Sequence, residues 1–368
     1  MKKIAHFIDT NVPGGAEVLI VEICKNLFHY NFQPEIMHFG NPWLQEKCKE
    51  LNIPSVIVPG YKLYKFSKTI PIFTLVFNRL LKQRNISILH SHLFAPIVGA
   101  CLATFLNRTA HIGTLHDTYT IEQKKTRVRL LQMASILGVR LITVSQSMQD
   151  YLMTLGKFPK GTVKTIFNGV DIEKFARLIS SVSRQDFHLK TNDIVFICVG
   201  RLVEIKRHDI LIESFSRLKP NKHVKLLIVG EGPCRQSMED LIIKKRMPDN
   251  IKILGFREDV PELLKMSDCF VLSSRSEGLS YSIIEAMASG LPLIVTNVGG
   301  NHELVIDEEN GYLIPFDEPD AFTEKLQILI DDKEKRKQFG ERSRMIVQKK
   351  FSIDSMMQEY IKIYTEIV

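Results

Sequence analysis

The sequence predicts an α/β protein built from two doubly wound parallel-sheet domains. Three observations carry this. Short β-branched runs alternate with longer amphipathic segments along most of the chain, the pattern of strands covered on both faces by helices. The alternation lapses once, in a polar and weakly periodic stretch from Asp171 to Asn192, and then restarts. The length, 368 residues, accommodates two domains at roughly 100–200 residues each. A composition of 45% hydrophobic and 24% charged residues is ordinary for a globular chain and excludes disorder, collagen and coiled coil.

In the first half the expected strands are Ile4–Asp9, Glu35–Phe39, Ser55–Val58, Ile86–His90, His111–Leu115, Leu141–Ser145 and Val163–Phe167. Each is short, apolar and β-branched, and helical periodicity over Ala16–His29, Thr69–Arg84 and Thr126–Leu137 separates several of them. Leu93–Leu106 is an uncharged apolar run containing Pro96. It is shorter than the roughly 20 residues that span a bilayer, so a buried helix is expected. In the second half, strands Ile194–Val199, Lys225–Val229, Ile251–Leu254, Cys269–Leu272 and Leu293–Thr296 alternate with helices near Arg207–Leu218, Cys234–Lys245, Pro261–Met266 and Tyr281–Ser289. Ala321–Ile330, Lys333–Lys349 and Ile353–Ile367 complete the chain as helices. The last carries Ile353, Met356, Met357, Tyr360, Tyr364 and Ile367 on one apolar stripe. The expected domains are 1–175, joined by 352–368, and 190–350. Two sheets of this kind facing each other would bring their carboxyl ends together across a cleft, where such folds bind ligands.

The formal net charge is +8, and its distribution is uneven. The first 175 residues hold 21 basic and 11 acidic side chains, a net of +10, which leaves −2 for the remainder. Between Glu50 and Asp117 there is no acidic residue. Lys62, Lys65 and Lys68 alternate there with Tyr61, Leu63, Tyr64, Phe66, Ile70, Ile72 and Phe73, ahead of a helix bearing Arg79, Lys82 and Arg84. Basic residues interleaved with aromatics suit an anionic lipid headgroup layer, the alternative being a solvated helix face. No nucleic-acid motif accompanies the charge. The six cysteines are scattered, which favours reduced thiols in a cytoplasmic protein, and the apolar run after Met1-Lys2-Lys3 ends at Asp9, too soon for a secretory signal. A cytoplasmic protein attached peripherally to the inner face of the membrane is expected.

The richest chemistry lies in the segment from Ser273 to Pro292. It follows a strand, and Gly290 then Pro292 mark the end of its helix. Ser280 or Ser282 is placed to cap that helix, whose free amides suit a phosphate. Glu277 in the loop and Glu285 on the helix offer carboxylates to a polyhydroxylated ligand, or stand as solvated charges. Arg201 and Lys206, after the first strand of the second half, are placed to offset the charge of a diphosphate. Gly14-Gly15, between strand and helix, allows close backbone approach to phosphate, although a tight turn explains it equally. Gly230-Glu231-Gly232-Pro233 lacks the third glycine of a dinucleotide-binding turn. His116, followed by Asp117 at a strand end, is placed for a polar substrate contact or serves a structural role.

These segments, with Val144-Ser145, Asn168-Gly169-Val170-Asp171, Gly255-Phe256 and Gly299-Gly300-Asn301-His302-Glu303, occur in an order that resembles the retaining, nucleotide-sugar-dependent glycosyltransferases of family 4, which have the two-domain glycosyltransferase B (GT-B) fold. The resemblance covers nearly the whole chain, apart from Phe39–Asn85 and Thr118–Gly138. It implies a donor site with Arg201 and Lys206 on the diphosphate, Glu285 on the ribose, Glu277 on the transferred sugar and the Gly278, Leu279 and Ser280 backbone at the phosphates. Gly15 would lie near the diphosphate, Phe256 and Arg257 by the base, and His116 near the sugar; Glu277, His116, Arg201 and Lys206 are the catalytic candidates. The C-terminal helix would cross back onto the first domain. No cofactor is expected beyond the nucleotide diphosphate sugar that serves as donor. No metal is expected either, since the sequence contains no Asp-x-Asp to hold one. The expected partners are that donor, with uridine as the default base, a glycan acceptor carried on a lipid, and an anionic membrane surface; nucleic acid is not one. An epimerase or phosphorylase on the same fold, or a non-catalytic nucleotide-sugar-binding protein, are the competing readings.

Overall fold

The computed structural model describes residues 1–178 and 182–367, so part of the 171–192 stretch and the last residue of the expected 352–368 segment lie outside the described residues. The chain divides into two compact units. The first runs Met1–Phe167 and takes back the chain from Met356 onward; the second is Asn168–Ser355. Residues 168–175, expected in the first domain, therefore group with the second.

In the first unit, strands β1 (Lys2–Phe7), β2 (Phe32–His38), β3 (Ser55–Ile57), β4 (Ile88–His92), β5 (Ala110–Leu115), β6 (Arg140–Thr143) and β7 (Val163–Thr165) form one parallel sheet in the order β3-β2-β1-β4-β5-β6-β7. The order reverses direction between β1 and β4, so the loops leaving the carboxyl ends of these two strands diverge and open a crevice there. One face of the sheet turns Ala5, Phe7 and Leu89 into an apolar cluster with Phe73, Phe77 and Leu81 of the Ile70–Arg84 helix and Ala100 and Ala103 of the Phe94–Asn107 helix. The other face carries His6, His90 and His92 and receives the C-terminal helix, Ile353–Glu366, through Tyr360 and Tyr364.

β4 begins two residues later than its sequence suggests. The preceding helix stops on Asn85 in the left-handed region (φ 55°), and the Ile86 amide still bonds back to the Leu81 carbonyl at 3.1 Å, so pairing starts only at Ile4 with Ile88. The Leu93–Leu106 run is helical as expected, but only its sheet side is buried; Leu102, Phe105 and Leu106 are exposed.

In the second unit, β8 (Ile194–Val199), β9 (Val224–Val229), β10 (Ile251–Gly255), β11 (Cys269–Leu272), β12 (Leu293–Thr296) and β13 (Gly311–Ile314) form a parallel sheet in the order β10-β9-β8-β11-β12-β13. The sixth strand, β13, is not among those expected from sequence, since Gly311 at its start and Pro315 after it read as turn signals. The direction reverses between β8 and β11, which places the loops after Val199 and Leu272 side by side. The Tyr281–Ala288 helix ends as Gly290 predicts, with that residue left-handed (φ 77°).

Candidate functional site

The crevice between β8 and β11 brings together residues about 70 positions apart in sequence. The Arg275 amide bonds to the Ile205 carbonyl at 2.8 Å, and the Ser273 hydroxyl donates to the carbonyls of Lys206 at 3.0 Å and Arg207 at 2.6 Å. With the two loops tied, Lys206 Nζ lies 2.5 Å from Glu277 Oε1, which also accepts from Ser274 Oγ at 2.6 Å. The pair is largely desolvated, its side chains 17% and 10% exposed. Removing one partner would strand a charge that water cannot reach freely, so the pair behaves as a unit. Arg201, in the same loop, is exposed and forms no ion pair among the described residues. One cation is therefore balanced and one is available to an anion.

Glycines make this assembly sterically feasible. Gly230 (φ 148°) sits so that a Cβ would lie 1.9 Å from the Gly200 carbonyl oxygen. Gly299 (φ 51°) lies below the carboxylate loop, where a Cβ would be 1.8 Å from the Glu277 carbonyl oxygen. Gly230-Glu231-Gly232-Pro233 is thus the turn supporting the Gly200 loop, with Leu202 N on Glu231 O at 2.9 Å and Cys234 N on Leu202 O at 3.0 Å.

The backbone of Gly278, Leu279 and Ser280 is buried and leads into the Tyr281–Ala288 helix. Ser280 occupies the N-cap position, yet its hydroxyl makes no cap: Ser280 Oγ and Ser282 Oγ pair with each other at 3.2 Å. Neither expected serine cap forms. Asn168 Nδ2 holds the Leu279 carbonyl at 3.1 Å, which gives the Asn168-Gly169 motif a role that spacing alone did not reveal. Glu285 is half-buried at the fifth position of this helix. Phe256 and Arg257 follow the sheet-edge strand β10. The Phe256 ring is exposed, whereas the Arg257 guanidinium is held by Asp259 (2.8 Å from Nε to Oδ1) and lies 5.7 Å from the Phe187 ring centre.

Gly15 and His116 belong to the first unit. Gly15 opens the helix Gly15–Leu27 behind an extended, side-chain-free Gly14 cap. His116 follows β5, half-buried, with its Nε2 3.1 Å from His92 Nδ1, and burial pushes its pKa down to about 4, so the ring is neutral near pH 7. Sequence reasoning did not find His6, His90 and His92. The available signal was period two: His90 and His92 share one face of β4, and the register opposes His6 to His90.

Comparison with known proteins is consistent along the length of the chain. Residues 13–174 match the family model described as Glycosyltransferase Family 4, and residues 180–345 match Glycosyl transferases group 1. A galactosyltransferase of Escherichia coli, named UDP-Gal:alpha-D-GlcNAc-diphosphoundecaprenol alpha-1,3-galactosyltransferase, is 32% identical over 271 residues, 69% of each chain. The chain belongs to glycosyltransferase family 4. The N-acetyl-alpha-D-glucosaminyl L-malate synthase of Bacillus anthracis is 25% identical over 361 residues, 96% of this transferase and 94% of that protein. Among solved structures, Anabaena HepE in complex with UDP-glucose superposes with a TM-score of 0.87 at 22% identity, covering both chains fully, and a glycosyltransferase of Rickettsia africae with 0.86 at 23%, covering 100% of this chain and 98% of that one. These likenesses establish the GT-B fold of the transferase.

Proposed function

We propose that the transferase moves a sugar from a nucleotide diphosphate sugar, with uridine as its base, to a lipid-linked glycan acceptor in bacterial surface polysaccharide synthesis, with retention of configuration and without a metal. The observation that carries this is the Lys206–Glu277 pair beside the free Arg201 cation. In glycosyl transfer the bond from the anomeric carbon to the diphosphate oxygen breaks and its electron pair leaves with the diphosphate. Negative charge grows on one side and oxocarbenium character on the other. A fixed pair of opposite charges suits that separation, with Lys206 and Arg201 serving the leaving group and Glu277 the sugar. Retention follows if the acceptor hydroxyl attacks from the departing side and gives its proton to the leaving phosphate. Protein cations take the part of a metal in a sequence without Asp-x-Asp. The relatives support the donor class: the E. coli relative is named for UDP-Gal and a diphosphoundecaprenol-linked acceptor, and HepE was solved with UDP-glucose.

The remaining donor contacts, Glu285 to ribose, Phe256 and Arg257 by the base, and Gly15 and His116 near diphosphate and sugar, are assigned by the same reading. Lys206→Met and Glu285→Gln should each abolish transfer to any acceptor while leaving the fold intact; full activity in both would overturn the site. Donor incubated alone and followed by NMR should remain unchanged, whereas conversion without acceptor would mark an epimerase.

Attachment to the inner leaflet is assigned to the acid-free stretch. There the structure leaves Lys62, Lys65, Phe66, Lys68, Ile72, Leu75, Arg79 and Lys82 exposed, and no helix among the described residues is long and apolar enough to cross a membrane. Sedimentation with anionic vesicles should be salt-sensitive and should weaken when Lys62, Lys65 and Lys68 become Gln, since each basic residue near such a surface contributes about 1 kcal/mol. Unchanged binding would return the acceptor to solution.

A further inference from the structure

Three imidazoles of the first unit stand in line. His6 Nδ1 is 3.0 Å from His92 Nε2, and His92 Nδ1 is 3.1 Å from His116 Nε2. Both ring pairs have centroids 5.3 Å apart and planes within 30° of each other, as expected for rings joined end to end through their nitrogens. His6 and His92 are fully buried, and the line leads from the core to His116 beyond the end of β5. His90 lies outside the line. It stacks on His92 at 4.2 Å, while Tyr364 (2.6 Å) and Thr114 (2.7 Å) occupy both of its nitrogens. The backbone just after His92 is strained: Leu93 adopts φ 73°, ψ 163°, a region that side chains other than glycine rarely enter, held by its amide bond to Thr114 O at 2.9 Å.

A neutral imidazole has one N–H and one bare nitrogen, so the protons in such a line all point the same way. Two directions exist. If they point inward, His6 is left with a buried Nε2–H; if they point outward, its Nε2 is bare. His6 Nε2 has no partner among the described residues. A buried donor without an acceptor is the costlier orphan, which selects the outward direction. His6 then donates to His92, His92 donates to His116 Nε2, and the His116 proton must sit on Nδ1. We propose that His6 and His92 are positioning residues that lock His116 as the Nδ1–H tautomer, a neutral donor fixed toward a substrate oxygen and unable to act as a base through Nε2. The role given to substrate rests on the transferase reading above; the tautomer does not. Burial keeps His6, His92 and His116 uncharged near pH 7, as the line requires.

His6, His90 and His92 also lie close enough to hold a metal ion, their ring nitrogens within 4.8 Å of one another. Hydrogen bonds of 2.6–3.1 Å already occupy every one of those nitrogens except His6 Nε2, so an ion would have to displace them.

The test is 15N NMR of the full-length protein labelled at histidine, where couplings from ring carbon protons report which nitrogen is protonated. His116 should be Nδ1–H in the substrate-free protein. In His92→Leu it should revert to the Nε2–H form that free neutral histidine prefers, with kcat falling about tenfold or more, as loss of a partner orienting an imidazole does elsewhere, and donor KM nearly unchanged. His92→Asn, whose amide N–H stands close to Nδ1–H, should recover most of that kcat. His6→Phe, a second variant should His92→Leu fail to fold, should leave His116 in mixed tautomers. An Nε2–H His116 in the wild type, an unmoved tautomer and kcat in His92→Leu, or stoichiometric zinc on the purified protein would each overturn the proposal. The expected tautomer in a protein that transfers no sugar would uphold the relay and refute the transferase reading instead.

Discussion

At Gly299 one methyl group governs where Glu277 stands. The left-handed backbone and the 1.8 Å approach to the Glu277 carbonyl leave no room for a Cβ. Gly299→Ala should therefore cost about 1–3 kcal/mol, read by thermal melting, and should lower kcat/KM more than that loss of stability explains, because the carboxylate loop must move. Lys206→Met tests the ion pair differently. It should destabilise the second unit by about 1–3 kcal/mol, with most of the loss recovered in Lys206→Met/Glu277→Gln, where no carboxylate is left unmatched. Additive losses in the double variant would show that the two side chains act independently. Both charges were legible in the sequence because their loops carry recognisable Gly, Ser and Arg spacing. Their pairing was not, since 71 residues separate them and only the order of β8 and β11 makes them neighbours.

At the scale of elements, the C-terminal helix was the most legible. Its stripe Ile353, Met356, Met357, Tyr360 and Tyr364 is buried, as the 3.6-residue period requires, with Ile363 added and Ile367 only half-buried. What the stripe hides is polar. The Tyr364 hydroxyl pairs with His90 Nδ1 at 2.6 Å, and the Tyr360 hydroxyl stands 3.4 Å from Thr114 Oγ1. Tyr364→Phe should cost about 1–3 kcal/mol through the unpartnered His90 nitrogen, and Tyr364→Ala about 3–5 kcal/mol through the added cavity. No loss in Tyr364→Phe in denaturant melts would mean that the hydrogen bond contributes nothing, and equal losses in the two variants would mean that the ring does not. Other elements were harder to read. Strand β13 opens on Gly311 and is followed by Pro315, which read as turn signals, and β4 shifted because its start is set by pairing with β1 rather than by its own composition.

For the molecule as a whole, acid should act on one unit first. Burial lowers the pKa of His6 and His111 to about 3 and of His116 to about 4, and depresses His38, His90 and His92 as well, all in the first unit; in the second it lowers His208 to about 4. Unfolded histidine titrates near 6.5, so below that pH the unfolded chain binds protons that the folded one refuses. Stability should hold above about pH 6.5 and fall steadily toward pH 4. Trp43, the single tryptophan, lies in the first unit, and its fluorescence in urea should show a midpoint that drops across that window; a flat midpoint would refute the effect. The charge surplus that the sequence localised is likewise divided by the fold. Tyr64 and Phe73 of the acid-free stretch enter the core, while Phe66 and Ile72 stay outside with the lysines.

The bond between His90 and Tyr364 spans 274 residues, and the whole second unit lies within that span. During synthesis, at roughly 5–20 residues per second, the histidine face of the first sheet waits on the order of tens of seconds for the helix that covers it. The second unit can fold in that interval. The unit begun first is therefore completed last, and its buried imidazoles stand open to solvent, and to chaperones, until the final helix leaves the ribosome.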